Sequence, residues 1–406
     1  RVGLAICEDL WFETVPRAIK AAGADIMIAP NASPWRRTIQ TERHTAFGAW
    51  GDLHLPYVFV NQIGGQDELV FDGASFCVSA NSAVHQILPD FETGAALVNF
   101  EVDTGEFAVG RTYTLTENWE AEYGAAVLAI RDYVDKNRFP GVVLGLSGGI
   151  DSALTAAICV DALGADRVWC VMLPSQYTST ESLEDAEGCA QALGVRYDTI
   201  PIGAGVAALD EMLAPHFEGR TPGVAEENIQ SRLRALTLMA LSNKFGPMVV
   251  TTGNKSEMAV GYATLYGDMC GGYNALKDFY KTEVFALARW RNSAKPKTAL
   301  GPEGVVIPER IITKPPSAEL RADQKDEDSL PPYDALDDIL RGLVDEEDDV
   351  ADIVARGHDL ETVKRIEHLV YIAEYKRRQA PPGVKVGSKN FGRDRRYPIT
   401  NRFRDD

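Results

Sequence analysis

The first part of the chain alternates short apolar runs with turns. From Val2 to about Arg111, β-like runs occur at 26–29, 57–60 and 74–78, and one helix-like stretch (41–53) lies between two of them. Strand-length apolar runs bounded by turn residues, with an amphipathic helix between them, are typical of layered α/β structure. The pattern predicts part of an α/β layered domain over residues 1–111.

From Tyr123 the pattern changes to helices alternating with fully apolar strands, at 142–146, 168–173 and 249–251. Continuous apolar strands separated by helices are typical of a parallel sheet that is covered on both faces. The fold class is therefore predicted as α/β, with a doubly wound parallel sheet in residues 123–406. Ligands in such sheets bind at the carboxyl ends of the strands.

Three further segments have weaker patterns. Residues 112–122 are polar and irregular and are predicted to be a linker. Residues 292–330, rich in Pro, Lys and Asp, are predicted to form a mobile cover over the site, and residues 337–375 are predicted to be helical. The basic tail, 377–404, contains Gly and Pro, and charge pattern alone does not decide whether it is a solvated, partly disordered arm.

Composition limits the partners. The chain has 406 residues, a length that suggests two or three domains, and a net charge of −18, which disfavours nucleic acid and anionic membranes as general partners. No apolar run approaches the roughly 20 residues that span a bilayer. The six cysteines are scattered without CxxC pairs, and in the absence of a leader they predict reduced thiols in the cytoplasm.

The chain opens directly on a strand-like run, Arg1 to Cys7, with no initiator methionine. We therefore expect residues upstream to be missing from this chain.

The loop from Ser147 to Ser152 carries the strongest chemical signal. It lies between an apolar strand and a helix-like run, and Gly148 and Gly149 allow its backbone to wrap closely around an oxyanion. The helix start adds free N–H groups and the positive end of the helix dipole. Asp151 can hold Mg²⁺, which prefers carboxylate and phosphate oxygens. The loop lacks the Gly-Lys-Ser/Thr of a Walker A loop. The alternative is a glycine turn that binds nothing.

This loop resembles the SGGxDS loop of the ATP pyrophosphatases, which grip the pyrophosphate of ATP and activate a carboxylate as its adenylate. A second glycine turn at a strand end, 251–257, places Glu257 at a helix start. There it either shares Mg²⁺ with Asp151 or is an ordinary helix-start carboxylate. In the segment 227–234, two arginines lie two residues apart and point to different faces, so only one is expected to reach a site.

Together these motifs resemble the NAD⁺ synthetase family, from Tyr123 onward. The matching segments are 147–154, 227–232, 251–257, 266–268, 277–282, 315–320, 326–330 and 374–382. The resemblance implies that Ser147, Gly148, Gly149, Asp151, Ser152 and Thr252 bind ATP, and that Asp151 and Glu257 bind Mg²⁺. It also implies that Arg232, Asp268, Lys281 and Ser317 contact deamido-NAD⁺ or its adenylate.

The implied reaction has two steps. The nicotinic acid carboxylate of deamido-NAD⁺ attacks the α-phosphorus of ATP, and ammonia then displaces AMP from the acyl adenylate. No side-chain nucleophile is needed, because the protein supplies positioning, charge stabilisation and exclusion of water. Members of this family associate through the synthetase domain, so the resemblance also implies a homo-oligomer.

The front part resembles the nitrilase-like amidase domain of glutamine-dependent NAD⁺ synthetases, through the segments 5–11, 31–34, 60–68 and 71–75. The resemblance implies that Cys7 attacks the side-chain amide of glutamine and that Ser33 helps to hold it. Arg36 and Arg43 both remain candidates for a further contact. The Glu base and the Lys of this family precede the Cys, so we expect the chain as given not to hydrolyse glutamine. On its triplet alone, Cys7 is better interpreted as a buried strand cysteine, and the surrounding motifs reverse that interpretation.

Several alternatives stay open. The phosphate loop also fits GMP synthetase, asparagine synthetase or a tRNA-thiolating enzyme, although the acidic balance argues against tRNA and the motifs at 251–257 and 315–320 argue against the other two. The chain could also be a carbon–nitrogen hydrolase whose C-terminal part binds a nucleotide as a regulator, or a scaffold without catalytic activity.

Overall fold

The structure, a computed structural model, describes residues 1–48 and 50–400. The chain divides into two units, Arg1–Ala129 and Ile130–Asp406. Within the described residues, no helix combines the length and apolarity that a membrane span needs.

The first unit is built on a five-stranded sheet with the order β1-β2-β3-β6-β7. The strands β1, β2 and β3 are parallel, and β6 and β7 continue the sheet antiparallel. An aromatic cluster that includes Phe47, Trp50 and Phe76 fills the core on one face. The elements of this unit are β1 (Val2–Leu4), α1 (Thr14–Ala21), β2 (Ile26–Asn31), α2 (Ile39–Gly48), β3 (Tyr57–Asn61), β4 (Ile63–Gln66), β5 (Leu69–Asp72), β6 (Phe76–Val78), β7 (Val84–Ile87), β8 (Phe100–Glu101) and β9 (Glu106–Phe107).

The second unit contains a five-stranded sheet with the order β12-β11-β10-β13-β14, all parallel. The elements that follow β9 are α3 (Asn118–Lys136), β10 (Val142–Gly145), α4 (Ile150–Leu163), β11 (Val168–Met172), α5 (Thr180–Leu193), β12 (Arg196–Thr199), α6 (Gly203–Phe217), α7 (Val224–Phe245), β13 (Met248–Thr251), α8 (Lys255–Val260), β14 (Tyr273–Asn274), α9 (Lys281–Ser293), α10 (Glu309–Thr313), α11 (Tyr333–Leu340), α12 (Val350–Ala355), α13 (Leu360–Ile372) and α14 (Glu374–Arg377).

The strand order explains where a ligand can bind in this unit. From β10 the chain winds outward through β11 and β12, then returns to place β13 on the other side of β10. The order reverses between β10 and β13, and in an open α/β sheet the crevice at such a switch point is the usual ligand site. The turn after β10 is the predicted phosphate loop, and the turn after β13 leads into α8, which carries Glu257.

The helix that follows the phosphate loop is buried almost all round. In α4, every residue but Asp151 is buried, as its nearly uniform apolar sequence requires. Asp151, the one residue of α4 that is not buried, places a carboxylate at the sheet edge, and the buried remainder holds that end of the helix in place.

The fold matches the predicted α/β class, but two helix boundaries and the packing of the tail differ from the pattern. The helix α2 stops at Gly48, and α3 begins at Asn118, inside the predicted linker 112–122. In the described part of the tail, Val384, Val386 and Phe391 are buried, so this part is not a solvated arm. Burying these apolar side chains stabilises the packed form, which charge pattern does not reveal.

Candidate active site

A cavity of about 610 Å³ opens at the carboxyl ends of β10 and β13. Its volume lies in the range of small-molecule and cofactor sites. Most of the site residues predicted in this unit line it, and these are Ser147, Gly148, Gly149, Asp151, Ser152, Thr252, Glu257, Asp268, Lys281 and Ser317. The topology therefore gathers into one cavity residues that are up to 170 positions apart in the sequence.

The phosphate loop is held close to the start of α5. Gly148 has φ +80°, and a Cβ at this position would lie 2.4 Å from the carbonyl oxygen of Ser182. The hydroxyl of Ser152 accepts the N–H of Ser147 (3.2 Å) and donates to the carbonyl of Gly149 (3.0 Å). The turn is therefore tight and internally bonded, and only glycine fits at 148.

The start of α4 is arranged to bind an anion. Its N-cap is Gly149, and no side chain in the described part of the chain caps it. The first N–H groups of α4 lie beside the cavity, where the helix dipole adds positive potential. This combination suits the phosphate oxygens of a nucleotide.

Two carboxylates face one cation in the floor of the cavity. The Lys281 ammonium, at the start of α9, lies 2.5 Å from Oδ2 of Asp151 and 3.3 Å from Oε1 of Glu257. Although burial opposes it, these carboxylates raise the pKa of Lys281, so the ammonium stays charged at neutral pH. Burial also raises the pKa of Glu257, because its charged form loses hydration.

Asn254, the N-cap of α8, links the two helix starts that carry these carboxylates. Its Nδ2 donates to Oδ1 of Asp151 (2.8 Å), and its Oδ1 accepts the N–H of Glu257 (3.0 Å), which caps α8. Asn254 is not among the site residues predicted from the sequence. The Asn-x-x-Glu spacing at 254–257 is a capping box and could have identified it.

This floor fits a magnesium ion. Asp151 and Glu257 offer hard oxygen donors on both sides of a position that already holds positive charge. Among residues 1–48 and 50–400, no cluster of three or more His, Cys, Asp or Glu side chains is placed to hold a metal. Mg²⁺ is commonly bound by one or two carboxylates together with substrate phosphates and water, so two carboxylates suffice.

Two more residues predicted to contact the second substrate, Asp268 and Ser317, line the same cavity. Asp268 is exposed to solvent and accepts hydrogen bonds from the hydroxyl of Ser231 (3.0 Å) and the N–H of Thr264 (2.8 Å). Desolvation by the surrounding protein raises its pKa, which those bonds oppose. The hydroxyl of Ser317 donates to the carbonyl of Gln324 (2.5 Å), which shapes the neighbouring segment.

The two arginines of α7 are placed differently from the prediction. Arg234 lines the cavity and donates to the carbonyl of Leu173 (3.0 Å), whereas Arg232 is exposed, donates to Leu265, and is not among the lining residues of the described chain. Residues two apart on a helix point to different faces. The structure brings Arg234 to this cavity, and a role for Arg232 stays a prediction.

Part of the predicted cover forms one wall. Glu319 accepts hydrogen bonds from the hydroxyls of Ser179 (2.8 Å) and Ser182 (2.7 Å), and the Lys314 ammonium donates to Ser182 (2.5 Å). These bonds tie the segment 314–321 to the start of α5, beside the phosphate loop. Neither Lys314 nor Glu319 was identified from sequence, because their partners lie more than 130 residues away.

In the first unit, the predicted residues follow neighbouring parallel strands. Cys7 comes after β1 and has φ +48°, a strained backbone for a residue other than glycine, and Ser33 comes after β2. Carboxyl ends of parallel strands share one edge of the sheet, so both residues lie at that edge. A half-buried nucleophile with a strained backbone suits attack on an amide.

The two candidate arginines have different surroundings. The fully buried Arg43 donates to both oxygens of Asp72 (3.0 and 2.9 Å) and to the carbonyl of Ser33 (2.8 Å). Arg36 is partly exposed and pairs with Glu42. The guanidinium of Arg43 therefore holds the turn that carries Ser33.

Comparisons with known proteins agree with this geometry. The NAD synthase family matches residues 122–380, and the carbon–nitrogen hydrolase family matches residues 1–108. A glutamine-dependent NAD(+) synthetase of Rhodobacter capsulatus is 51% identical over 407 residues, covering 100% of this chain and 74% of that protein. One from Xanthomonas campestris is 47% identical over 406 residues, covering 99% of this chain and 72% of that protein.

A solved structure gives the same result. The glutamine-dependent NAD⁺ synthetase of Acinetobacter baumannii, in complex with ADP, superposes with a TM-score of 0.73 at 44% identity. The match covers 98% of this chain and 72% of that one.

Proposed function

This chain belongs to the glutamine-dependent NAD⁺ synthetases, and from that premise we propose how its residues carry out the ATP-dependent amidation of deamido-NAD⁺. The protein is a carbon–nitrogen ligase. The observation that carries the proposal is that Asp151 and Glu257 both contact the Lys281 ammonium, beside the tight loop at Ser147–Ser152.

ATP binds with its phosphates in the loop after β10. Ser147, Ser152 and the free N–H groups at the start of α4 contact phosphate oxygens, and Gly148 and Gly149 allow the close approach. Thr252 lies in the wall of the same cavity. Asp151 and Glu257 would hold Mg²⁺, which neutralises charge on the leaving pyrophosphate when it is bound.

The second substrate occupies the wall formed by Asp268 and Ser317. The carboxylate of deamido-NAD⁺ attacks the α-phosphorus of ATP, the bond from that phosphorus to the bridging oxygen breaks, and pyrophosphate leaves. Ammonia then attacks the acyl carbon of the adenylate, and AMP departs as the carboxamide forms. The chain contributes alignment of the reacting groups and exclusion of water by the 314–321 wall.

The first unit, when completed by the Glu base and the Lys that precede the Cys in this family, supplies ammonia from glutamine. In that complete unit Cys7 is the nucleophile that attacks the side-chain amide, and Ser33, held by Arg43, helps to position the glutamine. The proposal includes a cytoplasmic, homo-oligomeric protein without nucleic-acid or membrane partners. The six cysteines are all free, as is usual in a reducing compartment.

Product analysis tests the proposal. With ATP, Mg²⁺, ammonia and deamido-NAD⁺, the protein should form equal amounts of NAD⁺, AMP and pyrophosphate. Asp151→Ala should remove this activity, whereas Asp166→Ala, at an exposed carboxylate three residues beyond α4, should leave it unchanged. Formation of ADP, or turnover of ATP that does not depend on deamido-NAD⁺, would contradict the proposal.

A further inference from the structure

The position that suits Mg²⁺ contains a side chain of the protein itself. The ammonium of Lys281 is within hydrogen-bond distance of Asp151 and in an ion pair with Glu257, and its side chain is only 3% exposed. Both carboxylates predicted to bind the metal therefore share one internal counter-ion.

The lysine is fixed in this position by its surroundings. Its backbone N–H donates to the hydroxyl of Ser256 (2.9 Å), at the start of α8. Its ammonium lies 5.2 Å from the centre of the Tyr333 ring, whose hydroxyl donates to Asp326 (2.8 Å). Two carboxylates and an aromatic face thus surround the charge, an arrangement that stabilises a buried cation.

A metal ion and this ammonium compete for the same oxygens. Mg²⁺ binds carboxylate oxygens at about 2.0–2.1 Å. With the ammonium 2.5 Å from Oδ2 of Asp151, the two cations would lie almost in contact. Repulsion at that distance is strong in a partly buried site. Without either cation, two neighbouring carboxylates would be left without a counter-ion, which is costly.

We propose that Lys281 occupies the metal position in the nucleotide-free enzyme and that Mg²⁺ enters only together with ATP. This inference rests on the proposed function, since it assumes that Asp151 and Glu257 bind the metal. The phosphates of ATP provide the displaced ammonium with a new anion, because Lys281 and the Ser147–Ser152 loop line one cavity. The lysine thereby couples metal binding to nucleotide binding.

Binding of Mn²⁺, followed by electron paramagnetic resonance without nucleotide, tests this directly. Lys281→Gln should bind Mn²⁺ at least about tenfold more tightly than the wild-type protein, because the competing charge is gone. Lys314→Gln is the matched control. It removes the same charge from the same cavity, but Lys314 contacts Ser182 and Glu319 and does not contact Asp151 or Glu257. Lys314→Gln should bind Mn²⁺ as the wild type does.

Two further variants identify the site. Lys281→Arg keeps the charge and should leave the Mn²⁺ affinity near the wild-type value. Asp151→Asn combined with Lys281→Gln should abolish the gain in Mn²⁺ affinity that Lys281→Gln shows alone. Equal affinities of Lys281→Gln and the wild type would overturn the inference, as would an equal gain in Lys314→Gln. If the wild type makes NAD⁺ while Lys281→Gln shows no gain, this inference alone fails. If the wild type makes no NAD⁺, the proposed function fails.

Diffraction from wild-type crystals decides the matter even if Lys281→Gln does not fold. After soaking in Mn²⁺ alone, no anomalous peak should lie between Asp151 and Glu257. Soaking with Mn²⁺ and α,β-methylene ATP should produce a peak there and move the Lys281 ammonium away from Asp151. A metal peak in nucleotide-free crystals with Lys281 still between the carboxylates would overturn the inference.

Discussion

Gly148→Ala should destabilise the phosphate loop, and the structure allows the cost in free energy to be estimated. Gly148 has φ +80°, where a residue with a Cβ costs about 1–2 kcal/mol. The added Cβ would lie 2.4 Å from the carbonyl oxygen of Ser182 and 3.0 Å from its carbon, both backbone atoms. Overpacking of this kind costs a further ~1–3 kcal/mol unless the loop moves.

Two glycines provide matched controls. Gly194, at the end of α5, has φ +70° with nothing within 4 Å of an added Cβ, so Gly194→Ala measures backbone strain alone. Gly149 has φ −92°, and its Cβ would meet only the Ser147 hydroxyl at 3.4 Å. Gly149→Ala should therefore leave the fold intact.

Urea unfolding and steady-state kinetics together form the assay. We expect Gly194→Ala to lose about 1–2 kcal/mol of unfolding free energy with normal kinetics. Gly148→Ala should either lose about 2–5 kcal/mol or relieve the contact by moving the loop. Movement of the loop by about 1 Å should lower kcat/KM for ATP roughly a hundredfold. If Gly148→Ala matched Gly194→Ala in both measurements, the reasoning about the close contact with Ser182 would be refuted.

Three other predictions concern buried charges and the cover wall. Arg291→Met should lower the unfolding free energy, measured in urea, by about 3–5 kcal/mol, because it removes the ion pair of the buried Asp161 carboxylate. A loss below about 1 kcal/mol would show that this carboxylate becomes protonated or hydrated instead. Arg43→Met should destabilise the first unit by a similar ~3–5 kcal/mol, because Asp72 is equally buried. The fluorescence of the buried tryptophans would follow this unfolding, and an unchanged unfolding midpoint in urea would contradict the prediction. Glu319→Ala should release the wall from α5, so that water reaches the adenylate and more than one AMP forms per NAD⁺; a ratio that stays at one would show that this wall does not exclude water.

Local patterns were sufficient for much of the fold and for the phosphate loop. The apolar runs that became β2, β3, β10, β11 and β13 are strand-length and continuous, and such patterns depend on neighbours in the sequence. The glycines and hydroxyls of the loop at Ser147 are likewise adjacent in the chain. The family assignment that these motifs indicated is confirmed by the comparisons.

Boundaries and tail packing were less predictable. Both features depend on which surfaces are available for packing. They are the start of α3 at Asn118 and the burial of Val384 and Phe391. Apolar residues in a basic, glycine-containing tail give no periodic signal, so their burial is visible only when the surface that they cover is known.

The sequence by itself indicated most of the strands and the glycine turn after β10, and it predicted two carboxylates suited to a metal, because each of these depends on residues close together in the chain. Only the tertiary structure decided that Lys281, 130 positions from Asp151, lies between those carboxylates, and that Asn254 bonds to the first of them. It also decided that Arg234 lines the cavity, where the prediction had named Arg232. Such contacts follow from the order of strands in the sheet, which brings distant turns to one edge and which no local pattern encodes.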